Sequence, residues 1–330
     1  NKQHDICLYE ADSRLGGHTA TKAMSVNGKE YLIDTGFIVF NDWTYPNFIK
    51  LINELGVGSL PTDMGFSVFN PIADYEYAGT NLATLFAQKR NLFSISHWKM
   101  LRDIVRFNKE AVMDLDAGNL EPNESLGHYL IRKKYSAAFN ERYLIPMGSA
   151  IWSATQGAML DFPLEFFIRF FKNHGLLNVV NRPQWRVIKG GSSAYIAPLI
   201  QSFKDKIRLN CPVLNIIRHS SKIEIITHIG SDFYDEVVIA CHSDQALAIL
   251  SDASLGEQAI LGAIKYQKND VVMHTDTRLL PRRKATWSSW NYMLQSNTQH
   301  PPILTYSMNI LQGIKSDVEF CVTLNATNKI

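Results

Sequence analysis

Ile6-Cys7-Leu8-Tyr9 is apolar at every position and stops abruptly at Glu10. A run that short and that uniform predicts a strand buried on both faces, as in a parallel sheet. EYLIDTGFIVFN (30–41) is again β-rich, with Gly36 in its middle, where a glycine marks either a bulge or a backbone passing close to a ligand. YPNFIKLINELGV then takes helical spacing, with Pro46 in the first turn and Gly56 as its stop. FSVFN and ADYEYAG alternate like strands on either side of a Pro-containing turn.

From residue 82 to about 180 the period becomes helical. LATLFAQKRNLF, SHWKMLRDIVRFNKEAVMDL, SLGHYLIRKKY and PLEFFIRFFKNHGLL each carry one apolar face. The span 162–177 is dense in Phe and broken by Glu165, Arg169 and Lys172. It reads as a core-facing amphipathic helix, with a substrate-pocket wall or a peripheral membrane contact as alternatives. WRVIKGGSSAYIAPLI reads as strand, Gly-Gly turn and helix; exposed N–H groups at the helix start could cradle phosphate, but no G-K-[ST] closes a Walker motif, and the turn is taken as structural. RLNCPVLNIIRHSSKIEIIT predicts a meander, and DEVVIACHSDQALAIL a buried parallel strand leading into a helix, with His242 at the strand end. The span 264–294 holds strands broken by the basic turn Arg282-Arg283-Lys284, followed by Trp287, Trp290 and Tyr292.

Composition narrows the function classes. The 330 residues suggest two domains at ~150 residues each, or one large one. Lys+Arg number 33 against 31 Asp+Glu, a net charge of +2 that gives no electrostatic reason to expect a nucleic-acid partner. The four cysteines form no C-x-x-C pair, so neither a zinc site nor a disulfide framework is expected. Cys7 and Cys241 fall within apolar runs and are expected to be buried and inert, in keeping with a cytoplasmic protein. No uncharged apolar run reaches the ~18 residues of a membrane span.

The chemistry lies in the opening stretch. An acid at the end of a strand in a dinucleotide-binding unit accepts hydrogen bonds from ribose hydroxyls, which suits an acceptor-only carboxylate. Arg14 follows Glu10 by four residues, then Gly16-Gly17, then Thr21. Adjacent glycines let the backbone approach a bulky ligand and present N–H groups to phosphate, while an arginine supplies a forked cation. The pattern E-x-x-x-R-x-G-G-x-x-x-T resembles the second FAD-contact motif of the flavin-containing amine oxidase superfamily. That resemblance implicates Glu10, Arg14, Gly16, Gly17 and Thr21 in FAD binding. It adds Asp34 and Gly36 through a similar Asp-x-Gly element, and Val213 as backbone beside adenine. DTGFIVFN, PMGSAIWSA and HTDTRLLPRRKATWSSWNY resemble a bacterial amine-oxidase-like subgroup that accompanies enzymes modifying unsaturated or cyclopropane fatty acids.

The resemblance implies a two-domain α/β fold, with a doubly wound, Rossmann-like FAD domain and an antiparallel-sheet substrate domain under a helical cap. Residues 1–65 and 186–255 would form the FAD domain, and 66–185 and 256–330 the substrate domain. The implied reaction is hydride removal from an apolar, fatty-acyl substrate to flavin N5, with FAD as cofactor and no metal. Trp287, Trp290 and Tyr292 are substrate-pocket candidates, and the basic turn is a candidate for a substrate carboxylate. Lys265 and Lys268 are the nearest lysines to a flavin-side role, and no general base is assigned. Two competitors are a non-redox binding module on the same scaffold and an NAD-dependent dehydrogenase. Only nine residues precede Glu10, so the first strand and G-x-G-x-x-G are expected outside this chain, as is the family's last FAD motif. Residues 1–330 alone are therefore expected to bind FAD weakly or not at all.

Overall fold

The computed structural model describes residues 4–297 and 299–330. The chain divides into two compact units, one holding the segment up to His18 with Tyr195–Lys268, the other Thr19–Ala194 with Asn269–Ile330. In the first unit Leu8–Tyr9 pairs in parallel with Ile207–Arg208, and Glu10 N–H extends the ladder to Arg208 O at 2.9 Å. This strand is two residues long and half-buried, less than its apolar run predicts. Beside it in sequence come the antiparallel meander Val213–Arg218, Ile223–Thr227 and Gly230–Tyr234 and the helices Ser243–Ile249 and Leu255–Ala263. Ser254 and Glu257 close a capping box on the second helix.

Two expectations fail in this unit. Residues 236–242 form no strand, and Val238 is 91% exposed. An apolar run becomes a buried strand only where neighbouring strands take its N–H and C=O groups, and no described strand pairs with this one. The thiol assignment fails with it: Cys241 lies in that run and is exposed, Cys7 is half-buried, and the buried thiols are Cys211 and Cys321.

The second unit is organised by a six-stranded sheet in the order Val271–His274, Cys321–Leu324, Ile303–Ser307, Trp290–Met293, Phe66–Asn70, Tyr75–Ala78. Every pairing is antiparallel except that of Trp290–Met293 with Phe66–Asn70. The hairpin Thr21–Val26 and Lys29–Asp34 turns on Asn27-Gly28, both at positive φ (51° and 74°), as a two-residue I′ turn requires. Val39–Asn41, Trp185–Ile188 and Ser59–Pro61 form a further small sheet. Gly36 lies in a bend between two strands and not within one.

The helical cap follows its periodicity closely. Ile95–Asp116 and Leu164–Asn173 bury Phe107, Ala111, Phe167 and Phe171 in one cluster, with Phe167 and Phe171 stacked at 4.1 Å. The Phe-rich helix is thus core-facing, although Phe166 stays 55% exposed. Residues 82–93 do not make one helix: Leu82–Leu85 gives way to a short 3-10 turn at Lys89–Phe93. Gln88 is the cause. It is buried at the sheet edge, accepting Glu76 N–H (3.2 Å) and donating to Asp74 O (2.6 Å), which holds its backbone extended. Further on, Asn140–Leu144 is a π-helical turn. Pro146 has no N–H for Arg142 O, and the buried Tyr77 hydroxyl donates to that carbonyl instead, at 2.8 Å.

Candidate functional site

Glu10, Arg14, Gly16 and Gly17 belong to the first unit and form one loop beyond the strand end. The Glu10 carboxylate accepts Asp12 N–H at 2.9 Å, which uses one of its several acceptor positions. Arg14 donates to Leu15 O (3.3 Å) and Gly17 O (2.7 Å), so the guanidinium folds the loop around itself. Gly16 (φ 112°) and Gly17 (φ 52°) both occupy the left-handed half of backbone space. A Cβ on Gly17 would have nothing within 4 Å, so the glycine serves the turn and leaves space above the backbone. Cys211 N–H donates to Glu10 O at 2.9 Å, which brings Val213, two residues on, to the same end of the parallel pair. His242 caps the Ser243–Ile249 helix and stacks between Tyr266 (4.2 Å) and His18 (5.7 Å).

Thr21 and Asp34 belong to the second unit and meet there. Asp34 is fully buried and accepts from the Thr21 hydroxyl at 2.6 Å, from Ser192 N–H at 2.9 and 3.0 Å, and from the Ser192 hydroxyl at 3.0 Å. Gln312 adds a donor at 3.2 Å. Thr21 and Ser193 exchange two further bonds, at 3.0 and 2.9 Å. Burial raises the Asp34 carboxyl above its ordinary range, against the opposing pull of the Thr21 and Ser192 hydrogen bonds. Gly191 (φ 92°) sits against this pair: a Cβ there would lie 2.6 Å from Thr21 Cγ2 and 3.3 Å from Asp34 Oδ1. The Gly-Gly-Ser turn is therefore anchored on Asp34 from 158 residues away, and Ser192, Ser193 and Gln312 carry no linear signal for this.

The six-stranded sheet sorts the aromatic candidates. Trp290 and Tyr292 alternate onto one face of their strand, with Val68, Tyr77, Leu304 and Tyr306 around them. Trp290 meets the Tyr306 ring edge-on at 5.1 Å. Its Nε1 is buried and has no partner among the described residues; the same holds for Ser149 Oγ on the overlying Ile145–Trp152 helix. Burial raises the Tyr292 and Tyr306 hydroxyls, the latter beyond the usual phenol range. Trp287 goes elsewhere, donating to Pro281 O at 2.7 Å with Lys284 over its ring. In the basic turn, Arg283 pairs with buried Glu76 at 2.5 Å and Arg282 reaches Asp74 at 3.5 Å. Lys265 donates to Gly262 O at 2.7 Å.

Glu121, Glu124 and His128 approach one another closely enough to suggest a metal. Arg132 instead holds both oxygens of Glu124, at 2.8 and 2.6 Å, and reaches Glu121 at 3.4 Å. The cluster is an ion-pair network.

The profile of the flavin containing amine oxidoreductase family matches residues 1–308, and the chain belongs to that family. It is a FAD-dependent oxidoreductase. No curated protein sequence matches it. Among solved structures it is similar to an oxidoreductase from Methanosarcina mazei (14% identity, 98% of this chain and 74% of that one, TM-score 0.65). It is similar also to cyclohexylamine oxidase from Brevibacterium oxydans (16%, 98% and 70%, 0.62) and to a CLA-producing fatty acid isomerase from P. acnes (13%, 99% and 72%, 0.60). At these identities the likeness is one of fold, a mixed α/β fold of two parts. The residues present fit the cofactor: the loop over 10–17 offers a carboxylate acceptor, a guanidinium and two left-handed glycines with open space above one of them. No described helix is long and apolar enough to cross a membrane.

Proposed function

We propose that this chain acts on an apolar, fatty-acyl substrate. FAD, when bound, supplies the hydride acceptor. Residues 1–65 and 186–255 serve the cofactor in this reading, and 66–185 and 256–330 the substrate. Glu10 would hold ribose, the Arg14–Gly17 loop the pyrophosphate, and Val213 backbone the adenine. Thr21, Asp34 and Gly36, in the second unit, are the remaining cofactor candidates, and Asp34 holds the Gly-Gly-Ser turn in place. What carries the substrate assignment is the buried, unpartnered Trp290 N–H on an otherwise apolar aromatic face, since buried polar atoms are rarely left without a partner. Tyr292 and Ser149 flank it from strand and helix, and Trp287 supports the basic turn. A ligand with a long apolar body and one acceptor matches that face. The fatty acid isomerase among the structural neighbours is consistent with such a ligand on this fold.

The test is anaerobic mixing of the flavin-loaded protein with unsaturated fatty acids and, separately, with short diamines. Bleaching of the flavin band by the acyl compounds, with a raised KM in Trp290→Phe, is expected. Bleaching by diamines alone would overturn the substrate assignment and leave the oxidoreductase class untouched.

A further inference from the structure

One corner of the second unit presents large apolar side chains to solvent. Phe93 is 88% exposed, Ile95 and Leu82 74%, Trp98 51% and Leu92 45%. Ile72, 83% exposed, lies on the adjoining turn between Phe66–Asn70 and Tyr75–Ala78. Singly exposed apolar residues are ordinary, but a contiguous set marks an interaction surface. The set is built, not frayed. Gln88 and Asn91 are each 2% exposed and tie residues 88–91 to the sheet edge, Asn91 by donating to Glu76 O at 3.3 Å. The Trp98 indole donates to Leu92 O at 2.8 Å, which locks the 3-10 turn onto the Ile95–Asp116 helix. With those polar groups drawn inward, Leu92, Phe93 and Ile95 are left pointing out.

Within the segment that carries these side chains the charge has one sign. Residues 82–102 contain Lys89, Arg90, Lys99 and Arg102, all exposed, and no Asp or Glu. Lys89, Arg90 and Arg283 line an open depression of about 460 Å³, where Arg90 pairs with Asp74 at 3.2 Å and Arg283 with Glu76 at 2.5 Å. Aromatic and aliphatic side chains projecting among Lys and Arg, beside a cation-lined hollow, complement a surface that is anionic outside and apolar just beneath. We propose that this corner, Leu82 to Arg102 with the hollow at Arg283, docks the protein on an anionic lipid bilayer, with Phe93 and Ile95 entering the acyl boundary and a phosphate headgroup in the hollow. The Phe-rich helix at 164–173, which the sequence offered for such a role, is occupied by the core. Docking here requires neither the flavin nor the proposed substrate.

The test is co-sedimentation of the full chain with vesicles of phosphatidylcholine alone or with about one-third phosphatidylglycerol, an anionic fraction large enough to set a surface potential. The wild-type chain is expected to bind the anionic vesicles, to release them as salt rises, and to ignore the neutral ones. Phe93→Ser with Ile95→Ser should weaken binding on the order of tenfold or more, as loss of two buried anchors predicts, with unchanged circular dichroism and Tm because both side chains are solvent-exposed. Lys89→Glu with Lys99→Glu should abolish the preference for anionic lipid. Failure of the wild type to bind anionic vesicles, or binding that neither double variant alters, would overturn the assignment. So would a concentration-dependent dimer that the Phe93 and Ile95 substitutions abolish, since the corner would then face a second copy.

Discussion

Asp34→Ala separates an anchoring carboxylate from one that serves only a cofactor. The side chain is fully buried and accepts the Ser192 N–H and the hydroxyls of Thr21 and Ser192, with Gln312 alongside. On removal the two hydroxyls can rotate toward other acceptors, and Gln312 already lies 3.4 Å from Leu32 O. The Ser192 N–H cannot move without its turn. An unsatisfied buried donor costs about 1–3 kcal/mol, and two or three lost bonds to a buried carboxylate bring the total to about 3–5 kcal/mol. In a chain of this size that corresponds to a fall in Tm of about 4–7 °C. The assay is thermal unfolding of flavin-free wild-type and variant chains followed by circular dichroism, with Thr21→Val, which loses the hydroxyl's bonds to Asp34 and Ser193 N–H, as a two-bond comparison worth about 2 kcal/mol. A flavin-free Asp34→Ala chain melting within about 2 °C of wild type would refute the anchoring role and leave Asp34 to the cofactor alone.

Gly191→Ala places a Cβ 2.6 Å from Thr21 Cγ2 at a φ of 92°, so denaturant unfolding should show a loss of about 2–4 kcal/mol, with little effect from Gly17→Ala beyond its φ strain. His274 accepts Asp276 N–H (3.1 Å), shares a 2.8 Å bond with Thr323, and is held neutral, its pKa lowered by burial. The unfolded chain therefore binds a proton that the folded chain refuses, so stability present at pH 7 should fall as pH drops below about 6.5, and His274→Gln should flatten that slope in urea midpoints taken from pH 7 to 5. Glu10→Ala removes the ribose acceptor and should weaken FAD binding by about tenfold or more in fluorescence titration, while the flavin-free Tm stays near wild type because the side chain is not buried.

What was legible depended on range. The amphipathic helices Ile95–Asp116 and Leu164–Asn173 are local patterns, and local chemistry decides them. Thr21 closes the Glu10–Gly17 motif in sequence, and its hydroxyl donates to Asp34 while its backbone N–H donates to Ser193. That network joins residues 158 positions apart, and no periodicity reports such a pairing. Residues 236–242 carry a strand's composition without a strand's neighbours, so Val238 and Cys241 lie open. Gln88 breaks a helix that its flanking residues favour because a sheet edge needs its amide. In each case a partner elsewhere in the chain, present or missing, decides against a local preference.

The central claim is that this protein is a FAD-dependent oxidoreductase, and its most direct test is an absorbance spectrum of the protein purified from its native source without added cofactor. Bands near ~370 and ~450 nm, released as FAD on denaturation, are the predicted result for a bound oxidised flavin. A colourless protein whose Tm does not rise with added FAD would contradict it.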